Sequence, residues 1–232
     1  SRLLDEYRST REQRFANTTQ RAQAAAGLLV VGLQQRLLSS IEAFARSLSV
    51  HRATVVRQWE RSDGGSDEVV GTQEVTADLL IATPDADDER SEWIPEDLEE
   101  EESAQIQTVT AMAETGLGRD ANSESLWQKE QAILDQMEDI IDKFRHLPDA
   151  KTRRLIDWIR ENLCPALPTF GSRQSGSHAE WNDRRMIIFT ENREGTKRYL
   201  KTILEQAIEG TDQADERIEV IDGLTSSTSR KE

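Results

Sequence analysis

The sequence predicts a mostly α-helical chain with one α/β corner, in which long helices lead into a partial parallel β-α-β unit. Three observations carry that expectation. Two long stretches without proline, Ala22–Trp59 and Ser123–His146, repeat apolar residues at three- and four-residue steps, the period of a helix with one buried face. Arg185–Thr190 (RMIIFT) is too short for a helix and rich in β-favouring residues, so it reads as a buried strand. Behind it, Thr196–Ile208 sets Tyr199, Leu200, Ile203, Leu204 and Ala207 on one helical face, and Arg217–Ile221 supplies a second strand before Asp222-Gly223. Strand, helix and strand joined by short links make a right-handed crossover.

In chain order, residues 1–61 read as helical. Leu3, Leu4, Tyr7 and Phe15 form a thin apolar stripe in a charged first segment. Thr18 or Thr19 is the expected N-cap of the next helix, whose apolar face takes Leu28, Leu29, Val31, Leu33, Leu37 and Leu38 and continues through Ile41, Phe44, Ala45 and Leu48. Ser39-Ser40 marks a bend or a fresh N-cap. Residues 62–102 are acidic and poor in apolar side chains, the composition of an unfolded linker. Residues 103–163 are helical again: a short helix from Ala104 to Gly116, a second capped by Ser123 or Ser125, and a third over Ala150–Leu163 capped by Asp149. The second of these is expected to pair antiparallel with Ala22–Trp59. Residues 164–232 hold a Pro/Gly/Ser loop and then the α/β corner.

Charge narrows the function classes. The net charge is −15, and Arg61–Glu102 accounts for nearly all of it with sixteen Asp/Glu against two Arg. A free-standing nucleic-acid binder is basic on at least one face, whereas an acidic surface suits solubility at high salt. The single cysteine, Cys164, excludes an internal disulfide or a cysteine-based zinc site and is compatible with a reducing cytosol, so a cytoplasmic location is expected. His51, His146 and His178 lie far apart with no triad partner, and Glu99–Glu102 is a run of carboxylates in water rather than a pair with separated pKa values. No metal site and no membrane span are expected.

A resemblance rests on the order of three pieces. RRMIIFTENREGTKRYLKTIL followed by RIEVIDGLTSSTSRKE resembles the opening of the second RecA-like lobe of superfamily-two helicases. There a strand ending in Phe-Thr leads into a helix, and a second strand ends in a glycine turn with Ser/Thr and Arg behind it. The nearest flavour is the RapA-type, chromatin-remodeller-like branch of DNA translocases, and Leu33–Leu48 (LQQRLLSSIEAFARSL) and Pro148–Ile159 (PDAKTRRLIDWI) agree with it.

The resemblance implies a nucleic-acid groove lined by Thr190, Asn192 and Arg193 at the first turn and by Gly223, Thr225, Ser226 and Arg230 at the second. Hydroxyls and backbone N–H groups there hold phosphate oxygens without reading bases. Arg36, Ser39 and Ser40 carry the likeness at the junction of the lobes; the competing reading is a surface helix with Arg36 in water. No GxxxxGK[ST] loop is present and no DExx-type acidic pair sits at the end of an apolar strand, so the chain is expected to bind no cofactor itself. ATP and Mg²⁺ belong to the parent enzyme, DNA is its partner, and the rest of the same polypeptide completes the lobes. With Ser first and Glu232 last, the chain reads as an internal, catalytically incomplete piece of that ATPase. The long acidic insertion departs from the family's pattern. The alternative is a non-catalytic helical interaction module whose acidic linker binds a basic partner.

Overall fold

The computed structural model describes residues 2–62, 95–115, 117–118, 120–172, 179–190 and 194–221. Among them are seven α-helices: α1 (Arg2–Phe15), α2 (Gln20–Ser39), α3 (Ile41–Arg61), α4 (Pro95–Glu114), α5 (Ala121–Phe144), α6 (Ala150–Asn162) and α7 (Glu194–Ile208). A 3₁₀ turn follows at Ala214–Glu216. No helix among the described residues is long and apolar enough to cross a membrane. The described residues fall into two compact units: one takes those of 2–62 and 96–145, the other Pro95 and those of 146–221.

In the first unit the caps decide where helices begin. Thr19 accepts a hydrogen bond from the Ala22 N–H and opens α2. Ser40 is the fresh N-cap expected at Ser39-Ser40: it adopts extended backbone and its hydroxyl accepts from the Ala43 N–H at 3.1 Å, so the Ala22–Trp59 stretch is two helices packed on each other. Replacing Ser40 by alanine is expected to lower stability by about 1 kcal/mol, read from the urea midpoint.

The core gathers Leu4, Tyr7 and Phe15 of α1, Leu29, Val30 and Leu33 of α2, and Phe44 and Leu48 of α3. Ile106 and Val109 of α4 and Ile133, Leu134, Met137 and Ile141 of α5 complete it. Ala22, Ala25 and Ala26 are also buried, so the inward face of α2 starts on small residues. Val31 and Leu38, expected inside, are exposed, as are Ile140 and Phe144 of α5. The helix pitch places them beside the buried stripe rather than on it.

Two boundaries differ from expectation. α4 begins at Pro95, inside the acidic stretch expected to be unfolded. Proline suits the first helical position and carboxylates suit the positive end of the helix dipole. α5 is capped by Asp120, whose carboxylate accepts from the Ser123 N–H at 2.6 Å, rather than by Ser123 or Ser125.

In the second unit Asp149 caps α6 as expected, accepting from the Thr152 N–H. Tyr199 of α7 accepts from the Asp149 N–H at 2.8 Å and donates to the Leu147 carbonyl at 3.1 Å. That phenol therefore fixes the start of α6 to α7. The chain behind α6 is held by Asn182, whose side-chain amide donates to the Asn162 carbonyl and whose N–H donates to that of Leu163. Gly210 ends α7 at φ 76°, a conformation that favours glycine.

The parallel strand pair is not seen among the described residues. Residues 184–190 and 218–221 carry neither helix nor strand. A helix satisfies its own backbone, but a strand does so only by pairing, and two such short segments offer few ladder bonds to each other.

Candidate functional site

Of the sequence-derived groove residues, Thr190 is described, exposed and outside regular structure. Asn192, Arg193, Gly223, Thr225, Ser226 and Arg230 lie outside the described residues. At the α2–α3 joint, Arg36 is buried rather than directed into water, Ser40 is the buried N-cap and Ser39 is half-buried.

What the sequence reading missed is a charged cluster inside the helical unit. Arg11 and Arg14 of α1 meet Glu114 of α4 and Glu130 of α5, and all four side chains are almost completely buried. Arg14 donates through Nη2 to Glu114 Oε2 and through Nη1 to Glu130 Oε2, each at 2.7 Å. Arg11 Nη1 lies 3.1 Å from Glu114 Oε1 and donates to the Tyr7 hydroxyl oxygen, also at 3.1 Å. The guanidiniums also rest on aromatic faces. Arg11 sits 4.6 Å from the Phe15 centroid and Arg14 5.2 Å from that of Trp59, which stacks on Trp127. Two cations against two carboxylates leave no net charge, the condition for placing charges in a core.

From this cluster a chain of hydrogen bonds reaches α3 and α4. The Tyr7 hydroxyl, which accepts from Arg11, is also hydrogen-bonded to His51 Nε2, and His51 Nδ1 is hydrogen-bonded to Thr110 Oγ1 at 2.9 Å. Burial pushes the Tyr7 phenol up. Arg11 stays firmly charged: burial opposes its charge, but the Tyr7 oxygen, Glu130 and Glu114 more than offset that.

His51 is held neutral, its pKa well below the ordinary histidine value because burial penalises the charged ring and Arg11 and Arg14 repel it. The unfolded histidine takes up a proton near pH ~6.5 and the native one does not, so acid favours the unfolded chain. Full stability from this group is present above that pH. Below it, up to about 1.4 kcal/mol is lost per pH unit until the lower native pKa is reached. Glu130 acts with the opposite sign: burial raises its pKa. Its contribution is therefore present in acid and fades as pH rises through the native value. In urea titrations at about pH 5 and pH 7.5, His51→Gln is expected to shrink the fall seen in the parent on acidification.

No family model matches the chain. Neither a curated protein nor a solved structure matches it. The site therefore has to be argued from its own chemistry. No group of three or more His, Cys, Asp or Glu side chains able to hold a metal ion occurs among the described residues. A cavity of about 570 Å³ between α3, α4 and α5 is edged by Arg46 and Arg145. Arg145 is engaged by Glu42 and Arg46 by Glu99. The buried cluster ties α1, α4 and α5 together through ion pairs.

Proposed function

We propose that this chain is part of an ATP-dependent DNA translocase of the superfamily-two, RapA-like type, and is not itself catalytically complete. In this reading the helical unit joins two RecA-like lobes, and residues 185–221 are the first β-α-β unit of the second lobe. The observation that carries the reading is α7 with its two flanks. Ile187, Ile188 and Phe189 precede it and Val220 and Ile221 follow, all exposed, whereas the inner face of α7 is buried. Runs that are apolar on successive residues are the pattern of parallel strands covered on both faces, and other strands of the same polypeptide cover them here.

Thr190, Asn192 and Arg193 at the first turn, with Gly223, Thr225, Ser226 and Arg230 at the second, hold the phosphates of one strand. Arg36, Ser39 and Ser40 form the break between α2 and α3 on the inter-lobe side. ATP and Mg²⁺ are held by other parts of the polypeptide, since these 232 residues carry no GxxxxGK[ST] loop. The bond to the γ-phosphate is broken there, and this chain's own part is to grip the backbone.

The test is the salt dependence of duplex-DNA binding by the full polypeptide. Arg193→Ala and Arg230→Ala are each expected to weaken binding alike for all sequences and to lower the salt slope by about one. Absence of salt-dependent binding in the complete polypeptide overturns the reading. It favours instead a helical interaction module whose acidic segment binds a basic partner.

A further inference from the structure

α2 has two apolar sides. The inner one, with Ala25, Leu29 and Leu33, is buried where α2 packs on α1 and α3. On the outer one Ala24, Val31, Gln35 and Leu38 are exposed and Leu28 is half-buried. Those five residues follow one another at steps of four, three, four and three, the spacing of a coiled-coil seam. They form one stripe on a helix about 30 Å long. Leu38 is 74% exposed, so the fold leaves this leucine almost uncovered. At Gly27, which borders the stripe, an added Cβ meets nothing within 4 Å.

Charge says what covers the stripe. Between Glu12 and Glu42 the sequence has no Asp or Glu, the longest such interval in a chain of net charge −15. Two acidic chains meet with least repulsion where neither carries a carboxylate, and a basic partner finds no carboxylate here to pair with. Shape sets the direction. Ala24 stands seven residues before Val31 and Leu38 seven after it. An antiparallel two-fold axis at Val31 therefore lays the large Leu38 of each copy over the small Ala24 of the other, beside the open place at Gly27.

We infer that α2 is a dimerisation helix: two copies of this chain pack α2 on α2, antiparallel about Val31, each seating its Leu38 over Ala24 and Gly27 of the other. One helical seam is smaller than a standard protein–protein interface, so the dimer is a reversible one. This dimer stands apart from the nucleic-acid reading and does not rest on it.

The test is analytical ultracentrifugation of the 232-residue chain, over ~1 to ~300 µM, the range suited to a small interface. The mass is expected to climb towards twice that of one chain, and association to tighten with added NaCl, which screens the repulsion between two acidic chains. Leu38→Glu changes an exposed helical position. Its circular dichroism is expected to match the parent and its dimer to be at least about a hundredfold weaker, since both copies lose a buried leucine. Oxidation of cysteine variants reads the direction, against a background in which Cys164 is buried. Val31→Cys is expected to give a disulfide-linked dimer and Leu38→Cys none, because the antiparallel register holds the two Leu38 positions ~20 Å apart. Four results overturn the proposal. They are a monomer across the whole concentration range, an undiminished dimer in folded Leu38→Glu, linking through Leu38→Cys rather than Val31→Cys, and a full polypeptide that stays monomeric because another of its segments covers α2.

Discussion

Replacing Glu130 by leucine is expected to destabilise the helical unit by about 3–5 kcal/mol. Glu130 is fully buried and takes the 2.7 Å hydrogen bond from Arg14, with Arg11 at 3.6 Å. Removing it leaves two guanidiniums on the single carboxylate of Glu114, in a place that water does not reach. The pair's own attraction is not the source of the loss; the stranded charge is. Changing Arg11, Arg14, Glu114 and Glu130 together to apolar side chains of similar volume is therefore expected to be near neutral or stabilising by about 1–4 kcal/mol. Urea unfolding followed by the fluorescence of the stacked Trp59–Trp127 pair reads both outcomes. A Glu130→Leu loss under about 1 kcal/mol, the scale of an exposed ion pair, contradicts this account of the cluster.

Ile203→Ala is expected to cost about 2–5 kcal/mol in the second unit. Ile203 is 2% exposed on α7, on the same buried face as Tyr199, Leu204, Ala207 and Ile208. That loss approaches the whole stability of a unit with so small a core. Trp158 and Trp181 report on this unit, and Trp181 is tied to Thr211 by a 3.0 Å hydrogen bond from its indole N–H. Their fluorescence is expected to lose its native value while the Trp59–Trp127 signal keeps its own urea midpoint. An unchanged midpoint for both pairs contradicts the packing assigned to α7.

The helices were legible because a helix is a local object. The three- and four-residue steps of Ile133, Leu134, Met137 and Ile141 and the Leu147-Pro148-Asp149 stop-and-cap signal are read within one turn of the chain. Where several caps compete, as at Asp120, Ser123 and Ser125, propensity alone does not choose among them. The start of α4 was signalled by Pro95, but the acidic composition around it outweighed a single residue. The buried cluster had a signal too. Glu130 stands three and four residues before Ile133 and Leu134, in the buried register of α5, and Arg11 and Arg14 interrupt the stripe of Leu4, Tyr7 and Phe15. A charge in an apolar register marks a buried partner, yet which charges meet across α1, α4 and α5 is set by tertiary packing. Strands are less local still: RMIIFT states a preference for burial, and only a neighbouring strand turns that into a sheet.

The most direct measurement of the central claim is ATP hydrolysis by the full polypeptide with and without duplex DNA. The account predicts a rate raised at least about tenfold by DNA, a shift of the barrier of about 1.4 kcal/mol, and a loss of that increment in Arg193→Ala with the DNA-free rate retained. An ATPase rate indifferent to DNA, or no hydrolysis at all by the full polypeptide, contradicts it.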